Sequence, residues 1–386
     1  GSYNELEAYL YFSRAALEYM LKSGRQPDII HTHDWHTAAT GMLYWDVYNP
    51  MGLWRPQLVM TIHNLDNTGE VKGEELEWVL PDAEQYLVDE KAMDPRTKGH
   101  NPERASLLKA GIVYSSKITT VSPTYAQDTL NGAAAGWLKE CLAIHGSKFS
   151  GLINGIDSGM WDPQRDCFLP APFSSASPDP KKLCKEYVLK GLGIPIEEGV
   201  PVVTCISRLV PQKGIHLIKR AIYRTAELGG IFILLGSAPD DGINHDFMNL
   251  RDEFADDPKI KLLLMYSESL AHQLYAAADI IVVPSMFEPC GLTQLVSMQY
   301  GTIPVVRRTG GLADTVFDVD QDGEEGNGFV FDGADEGSLD SALDRAIQYY
   351  KEKPEWWAQL SRSDMQLNNT WDSRAGAYVD LYQSIL

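Results

Sequence analysis

Two basic residues stand where they could bind a phosphate group. Arg208 and Lys213 occur in the segment SRLVPQKG, directly after the apolar run VVTCI at 202–206. Arginine binds phosphate through paired hydrogen bonds, and lysine binds it through a compact charge. Because both side chains belong to one predicted strand–helix turn, the spacing favours a diphosphate clamp over two solvated surface charges.

An acidic residue follows another apolar run of the second half. Glu288 belongs to FEPCGLT, which comes after IIVV at 280–283 and precedes a predicted helix. Free N–H groups and the positive end of the helix dipole make such a helix start a site for anions, and Gly291 allows a ligand close to the backbone. The pattern predicts that Glu288 faces a ligand. Taken alone, the motif fits an ordinary turn with a solvated acid equally well.

The first half carries histidines and an acid in the segment IHTHDWH. On a strand, His31 and His33 share a face and Asp34 points to the other face. The two histidines could bind a metal, but no third ligand is evident, so we favour Asp34 as a hydrogen-bonding group for a sugar hydroxyl. His63 and Asn64 end the next predicted strand and add polar groups to the same edge.

Two glycine-containing segments are weaker indications. Gly310 and Gly311 follow two arginines, which suits a loop beside a ligand, although a Gly-Gly pair is more often a simple turn. Asn154 precedes a glycine, and Asn-Gly is a common turn sequence. Its place near a predicted domain boundary also makes a ligand contact a reasonable hypothesis.

These motifs are separated by alternating strand and helix patterns. Several strands are continuous apolar runs, which are typical of a parallel sheet covered on both faces. The alternation predicts an α/β protein with one doubly wound sheet in each half. Ligands of such folds bind beyond the carboxyl ends of the strands, here in a cleft between the halves. We expect strands at 27–31, 58–63, 117–121, 202–206, 231–235, 261–264 and 280–283, and helices at 36–48, 215–227 and 270–277.

The composition excludes several classes of protein. Lysine and arginine number 33 against 53 acids, and the formal net charge of −20 repels nucleic acid and anionic membranes. The five cysteines are widely spaced and odd in number, which favours a reducing compartment. No apolar run approaches the roughly 20 residues of a membrane-spanning helix. The sequence also lacks the motifs of P-loop kinases, α/β-hydrolases and zincins.

Taken in order along the chain, the motifs resemble those of retaining glycosyltransferases of the GT-B architecture. They are most similar to glycosyltransferase family 5, the starch and glycogen synthases. Within that family, the stretch at 214–236 is most like plant or algal starch synthases of class III/IV. The segments that carry the resemblance are PDIIHTHDWHT, TIHN, TTVSPTY, INGID, SRLVPQKG, VPSMFEPCGLT and YGTIPVVRRTGGLADT.

The resemblance implies two Rossmann-like, doubly wound domains that face a cleft. It implies an N-terminal, acceptor-side domain at 1–160 and a nucleotide-sugar-binding domain at 161–370. A C-terminal helix at 371–386 would pack back toward the first domain. A proline- and serine-rich composition at 154–200 agrees with a boundary there. The family's K-x-G-G-L loop has no counterpart in this sequence, so we expect the start of the N-terminal domain to be missing.

The implied activity is the retaining transfer of glucose from ADP-glucose to the non-reducing end of an α-1,4-glucan. Starch or a maltooligosaccharide would be the acceptor, and ADP would be the product. The resemblance implies no metal, no cofactor, no nucleic-acid partner and no membrane insertion, and it implies a location in the plastid stroma. The alternatives are a GT-B enzyme that uses a UDP-sugar, or a glucan-binding scaffold without turnover.

The resemblance also implies roles for individual residues. Arg208 and Lys213 would neutralise the departing diphosphate, and Glu288 would hold the donor glucose. The implied catalytic residues are Glu288, Arg208, Lys213, His63 and Asp34. The implied ADP-binding residues are Arg208, Lys213, Tyr266, Gly291, Leu292, Thr293, Gly310 and Gly311. The implied glucose-binding residues are Asp34, His63, Asn64, Asn154, Glu288 and Cys290.

Overall fold

The chain separates into two compact units. The computed structural model describes residues 5–72, 98–101, 103–131 and 135–386. The units comprise Gly1–Ile153 with Ala375–Leu386, and Asn154–Arg374. The division therefore falls a few residues before the boundary predicted at 160. The segment at 154–200 belongs to the second unit. It contains a helix, Lys181–Gly191, that its proline- and serine-rich composition did not predict.

A parallel sheet forms the centre of the first unit. The strands are β1 (Ile29–His33), β2 (Gln57–Ile62), β3 (Glu70–Lys72), β4 (Arg104–Ser106), β5 (Lys117–Thr120) and β6 (Phe149–Gly151). In the described residues, β1, β2, β5 and β6 form a four-stranded parallel sheet in that order, and β3 pairs antiparallel with β4. Strand β2 is buried from Leu58 to Ile62, because both faces of a parallel sheet are covered.

Five α-helices of the described residues lie within the first unit. They are α1 (Glu5–Lys22), α2 (Asp34–Leu43), α3 (Leu107–Tyr114), α4 (Pro123–Asn131) and α5 (Lys139–Ile144). A π-helical turn at Tyr44–Tyr48 extends α2, so the helix predicted at 36–48 forms and begins at Asp34. The Ser122 hydroxyl accepts a hydrogen bond from the Tyr125 main-chain N–H at 2.9 Å, which satisfies a free donor of the first turn of α4.

The second unit contains a larger parallel sheet. Its strands are β7 (Val202–Ile206), β8 (Ile231–Leu235), β9 (Ile260–Leu263), β10 (Ile280–Val283), β11 (Ile303–Arg307) and β12 (Phe329–Phe331). Their order across the sheet is β12-β11-β10-β7-β8-β9, and all neighbours are parallel. The predicted strands at 202–206, 231–235 and 280–283 are confirmed residue for residue.

The helices of the second unit cover this sheet. They are α6 (Lys181–Gly191), α7 (Ile215–Glu227), α8 (Asp241–Glu253), α9 (Glu268–Ala277), α10 (Thr293–Gln299), α11 (Gly310–Thr315), α12 (Glu336–Glu352) and α13 (Pro354–Asp364). The last helix, α14 (Trp371–Gln383), begins in the second unit. Helix α7 matches the predicted 215–227 and buries Leu217, Ile218, Ala221 and Ile222 along one face, as an amphipathic helix does. From Ala375 onward, α14 belongs to the first unit. In the described residues, none of the helices has the length and apolarity to cross a bilayer.

The order of the strands reverses between β7 and β10. From β7 the chain adds β8 and β9 on one side of the sheet, and then β10, β11 and β12 on the other side. In doubly wound sheets, the carboxyl ends of the strands at such a reversal leave room for a ligand. The second unit is therefore built to place the loops after β7 and β10 beside a binding site.

Candidate active site

Three predicted motifs follow three neighbouring strands of the second unit. The segment with Arg208 and Lys213 follows β7, the segment with Glu288 follows β10, and the Gly310-Gly311 pair follows β11. Because these strands are adjacent and parallel, their carboxyl ends lie at one edge of the sheet. The topology thus brings the phosphate-clamp motif and the acidic motif together at the strand reversal.

The central contact at this edge is an ion pair. Lys213 Nζ donates to Glu288 Oε2 at 2.6 Å, and the Ser285 hydroxyl donates to the same oxygen at 2.8 Å. Glu288 is only 7 % exposed, so its charge is buried but paired and hydrogen-bonded, as a buried carboxylate requires. The alternative in which Glu288 is a solvated acid on an ordinary turn is therefore excluded.

Arg208 offers a second cation with a different environment. Its side chain is exposed, and no acceptor in the described residues contacts its guanidinium. An arginine in this state can bind a phosphate through two hydrogen bonds without first breaking an internal pair. The same loop thus carries two positive charges: that of Lys213 is paired with Glu288, and that of Arg208 is available to a ligand.

Hydrogen bonds to main-chain carbonyls connect the loop after β10 to the loop after β7 and to β11. The Met286 N–H donates to the Gln212 carbonyl at 2.8 Å, and Gln212 Nε2 donates to the Phe287 carbonyl at 3.2 Å. Arg307 Nη1 donates to the Met286 carbonyl at 3.0 Å. The position of Glu288 is therefore determined by the strands on both sides of its own strand.

The predicted glycine pair has a steric reason that the sequence did not show. A Cβ at Gly310 would overlap the main-chain carbonyl of Glu288, and a Cβ at Gly311 would overlap that of Cys290. The Gly311 N–H also donates to the Glu288 carbonyl at 2.9 Å. These glycines allow the start of α11 to pack directly against the Glu288 loop. Contact of Gly310 and Gly311 with a donor stays a prediction.

Helix α10 begins inside the predicted anion-binding motif. Gly291 has a φ of 70°, Thr293 is the first residue of the helix, and Leu292 is 48 % exposed. The buried Gln294 amide donates to the Gly291 carbonyl at 2.7 Å and to Thr315 Oγ1 at 3.0 Å. Gln294 therefore stabilises the turn, and sequence reasoning missed it because its polarity suggested a surface position.

Two predicted sugar-binding residues lie together in the second unit. Asn154 begins this unit, whereas the sequence placed it in the first half. Burial raises the pKa of the Cys290 thiol to about 11, and a main-chain hydrogen bond from Asn154 acts in the opposite direction. Asn154 Oδ1 is buried without a hydrogen-bond partner in the described residues, so it can still accept from a ligand.

Tyr266 lies apart from this cluster. It follows β9 at the far end of the sheet and is 83 % exposed. An exposed aromatic ring can stack on a planar base, which keeps the predicted adenine contact possible. The structure does not bring Tyr266 into contact with Lys213 or Glu288.

The first unit gathers three of the predicted sugar-binding residues. Asp34 has a φ of 51°, which puts it in the left-handed region. Its Oδ1 accepts a hydrogen bond from the His63 N–H at 2.7 Å. The Asn64 side chain bonds instead to its own loop, where Oδ1 accepts from the Asp66 N–H at 3.1 Å. Asp34 thus fixes the start of the loop that carries His63 and Asn64.

The histidines of the first unit form a stack. The rings of His31 and His33 are 4.5 Å apart, and His33 Nδ1 lies 3.0 Å from His63 Nε2. His31 is further linked to Thr61 Oγ1 at 2.7 Å and to the Tyr382 hydroxyl at 2.8 Å. Burial, together with the neighbouring His33 and His63, lowers the pKa of His31 to about 4. The His31 imidazole is therefore neutral at neutral pH.

A metal site at these histidines lacks ligands in the described part of the chain. No group of three or more His, Cys, Asp or Glu residues there is arranged to hold a metal ion. The tyrosine link to His31 was not predicted, because Tyr382 lies 351 residues away in sequence. The absence of a metal from the reaction stays a prediction.

Known proteins resemble this chain over its whole length. Residues 1–144 match the family described as starch synthase catalytic domain, and residues 193–363 match glycosyl transferases group 1. A glycogen synthase of Protochlamydia amoebophila (strain UWE25) is 43 % identical over 398 residues, covering 100 % of this chain and 79 % of that relative. A probable starch synthase 4, chloroplastic/amyloplastic, of Arabidopsis thaliana is 44 % identical over 99 % of this chain, which spans 37 % of that longer protein.

A solved structure agrees with the same assignment. The catalytic domain of starch synthase IV from Arabidopsis thaliana, bound to ADP and acarbose, has a TM-score of 0.93 and 43 % sequence identity to this chain. The match covers 100 % of this chain and 78 % of that one. The fold and the order of the motifs therefore agree with one family.

Proposed function

Because the chain belongs to the family of starch and glycogen synthases, which are GT-B glucosyltransferases, we propose that it transfers glucose from ADP-glucose to an α-1,4-glucan. The transfer adds glucose to the non-reducing end and retains the anomeric configuration. The observation that carries the proposal is the Lys213–Glu288 ion pair at the strand reversal, with the available guanidinium of Arg208 on the same loop.

The charges of the second unit suit the departure of a diphosphate. Breaking the bond between glucose and ADP leaves negative charge on the phosphate oxygen and positive charge on the sugar ring. Arg208 and Lys213 would stabilise the first charge, and Glu288 would stabilise the second. Fixed charges of this kind lower the barrier because they bind the transition state more tightly than the ground state.

The polar side chains at the sheet edge of the first unit suit the uncharged hydroxyls of a sugar. We assign Asp34, His63 and Asn64 to the donor glucose, together with Asn154, Glu288 and Cys290 of the second unit. The His63 ring and the Asn64 amide offer hydrogen-bonding atoms, which match a sugar hydroxyl. Gly291, Leu292, Thr293, Gly310 and Gly311 are proposed to lie beside the diphosphate, and Tyr266 beside the adenine.

The proposal includes starch as the product and the plastid as the location. Its support is the similarity to probable starch synthase 4 of Arabidopsis thaliana, whose name includes chloroplastic/amyloplastic. A bacterial glycogen synthase is similarly close, at 43 % identity. The solved relative that binds ADP and acarbose supports a nucleotide and a glucan as the partners.

The test is transfer of labelled glucose to glycogen from ADP-glucose and, in parallel, from UDP-glucose. We expect transfer from ADP-glucose, a loss of at least about 100-fold in Arg208→Ala, and no change on addition of EDTA. Arg251→Ala is the matched control, because Arg251 is an exposed arginine of α8 whose partner among the described residues is the neighbouring Asp252.

Other outcomes separate the alternatives. A preference for UDP-glucose would show a different GT-B transferase. Binding of glucan without transfer from either donor would support the scaffold. Strong inhibition by EDTA would support a metal site with His31 and His33 as ligands.

A further inference from the structure

A residue outside the predicted site makes direct contact with Glu288. Ser285 is buried, and its hydroxyl donates to Glu288 Oε2 at 2.8 Å. Lys213 Nζ donates to the same oxygen at 2.6 Å. Two donors thus converge on one oxygen of the carboxylate, while no donor of the described residues contacts Oε1.

We propose that Ser285 is a positioning residue that, with Lys213, holds Oε2 of Glu288 and thereby presents Oε1 to the bound sugar. The identity of that sugar rests on the proposed function. A glutamate has several rotatable bonds, and its terminal torsion is broad. A single bond to a flexible lysine leaves the carboxylate free to turn, and a second donor on a short side chain removes that freedom.

The backbone determines where the Ser285 hydroxyl lies. Arg307 Nη1 donates to the Met286 carbonyl at 3.0 Å and approaches the Ser285 carbonyl at 3.4 Å. The Met286 N–H donates to the Gln212 carbonyl at 2.8 Å. Since serine has one side-chain torsion between its backbone and its hydroxyl oxygen, these bonds place the donor with little freedom. A carboxylate held by two such donors, as Glu288 is here, stays in one orientation.

The proposal predicts a specific kinetic effect of Ser285→Ala. Loss of a hydrogen bond to a charged group corresponds to a fall in kcat of about 10-fold. The contacts expected for the diphosphate are untouched, so KM for ADP-glucose and Kd for ADP should change by less than about 2-fold. Ser285→Thr keeps the hydroxyl and should restore most of kcat.

A neighbouring serine is the matched control. Ser297 is also buried, and its hydroxyl donates to the Gln294 carbonyl at 2.8 Å within α10. Ser297→Ala removes the same group from the same region without touching Glu288. We expect its kcat to equal that of the wild type, with both alanine variants folded by melting temperature.

Crystal structures of the wild type and Ser285→Ala test the geometry without relying on turnover. We expect one orientation of the Glu288 carboxylate in the wild type and more than one in the variant. A single, unchanged orientation in the variant would overturn the proposal, as would an unchanged kcat or an equal loss in Ser297→Ala. If the wild type itself fails to use ADP-glucose, the proposed function fails, and the crystal structures still decide the role of Ser285.

Discussion

The two sheet edges that carry the predicted site residues are built from different chemistry. At the edge of the second unit, a buried ion pair joins Lys213 and Glu288, and main-chain bonds connect the loops around it. At the edge of the first unit, imidazole rings and hydroxyls are linked to each other, including His33 to His63 and His31 to Thr61. Under the proposed function, the charged groups of the second unit would stabilise the charges of the transition state, and the polar groups of the first unit would bind sugar hydroxyls.

The two edges also differ in how their shape is maintained. In the second unit, glycines allow backbone to pack on backbone beneath Glu288. In the first unit, Asp34 adopts a left-handed conformation and holds the next loop with its side chain. Substitutions in the second unit should therefore lower the rate of catalysis most strongly. Substitutions in the first unit should mainly lower the free energy of unfolding.

The strongest test of this comparison is Gly311→Ala. The added Cβ would overlap the Cys290 carbonyl, so the Glu288 loop must move, and we expect kcat/KM to fall by more than about 100-fold. Gly191→Ala is the control, since a Cβ there has open space. Glucose transfer at the wild-type rate by Gly311→Ala would show that the packing at this edge is dispensable.

Removal of the available cation should have the next largest effect. We expect Arg208→Ala to lower kcat by about 100-fold, since it removes charge stabilisation from the transition state. Folding should be unaffected because the side chain is exposed. His33→Ala, at the edge of the first unit, should cost only about 10-fold because it removes a single hydrogen bond, the one to His63. Equal losses in the two variants would contradict the division of roles.

Asp34 tests how the first unit maintains its loop. Asp34→Ala removes the acceptor of the His63 N–H and leaves alanine at a φ of 51°, so we expect a loss of about 1–2 kcal/mol in the free energy of unfolding. Asp34→Asn keeps an oxygen acceptor and tolerates this conformation. Urea denaturation should therefore rank the asparagine variant close to the wild type, and identical losses for the two would refute the explanation.

His31 makes the stability of the first unit depend on pH. Its pKa is about 4 in the folded protein, below the ordinary 6.5, because of burial and the nearby His33 and His63. The unfolded chain therefore takes up the proton first, so this contribution to stability is complete above pH 6.5 and is lost as the pH falls toward 4. With allowance for solvent screening, the loss is about 1–2 kcal/mol.

A melting experiment checks the sign of this effect. Between about pH 7 and about pH 5, the melting temperature of the first unit should fall more in the wild type than in His31→Gln. The exposed His245 of α8 provides the control variant His245→Gln. A wild-type melting temperature that rises on acidification, or falls equally in His31→Gln, would contradict the assignment.

Some elements were predictable because their signal is local. The strand at 231–235 is apolar at every position and buried at every position, and the helix at 215–227 has one apolar face. The three-residue strands β3, β4, β6 and β12 were missed, since so short a run carries no periodicity. Asn154 was assigned to the wrong half because a turn sequence does not indicate which core it joins.

Local patterns were enough to predict the α/β alternation and the family motifs, and they placed Arg208, Lys213 and Glu288 directly after apolar strands. Which of these residues contact each other depends on how the strands are arranged in the folded chain. Lys213 and Glu288 are 75 residues apart in sequence, and their contact depends on β7 lying beside β10. Ser285 and Gly311 acquire their roles from the same arrangement. Local patterns reflect burial and backbone preference, whereas contacts between distant residues depend on strand order and packing, which no single segment encodes.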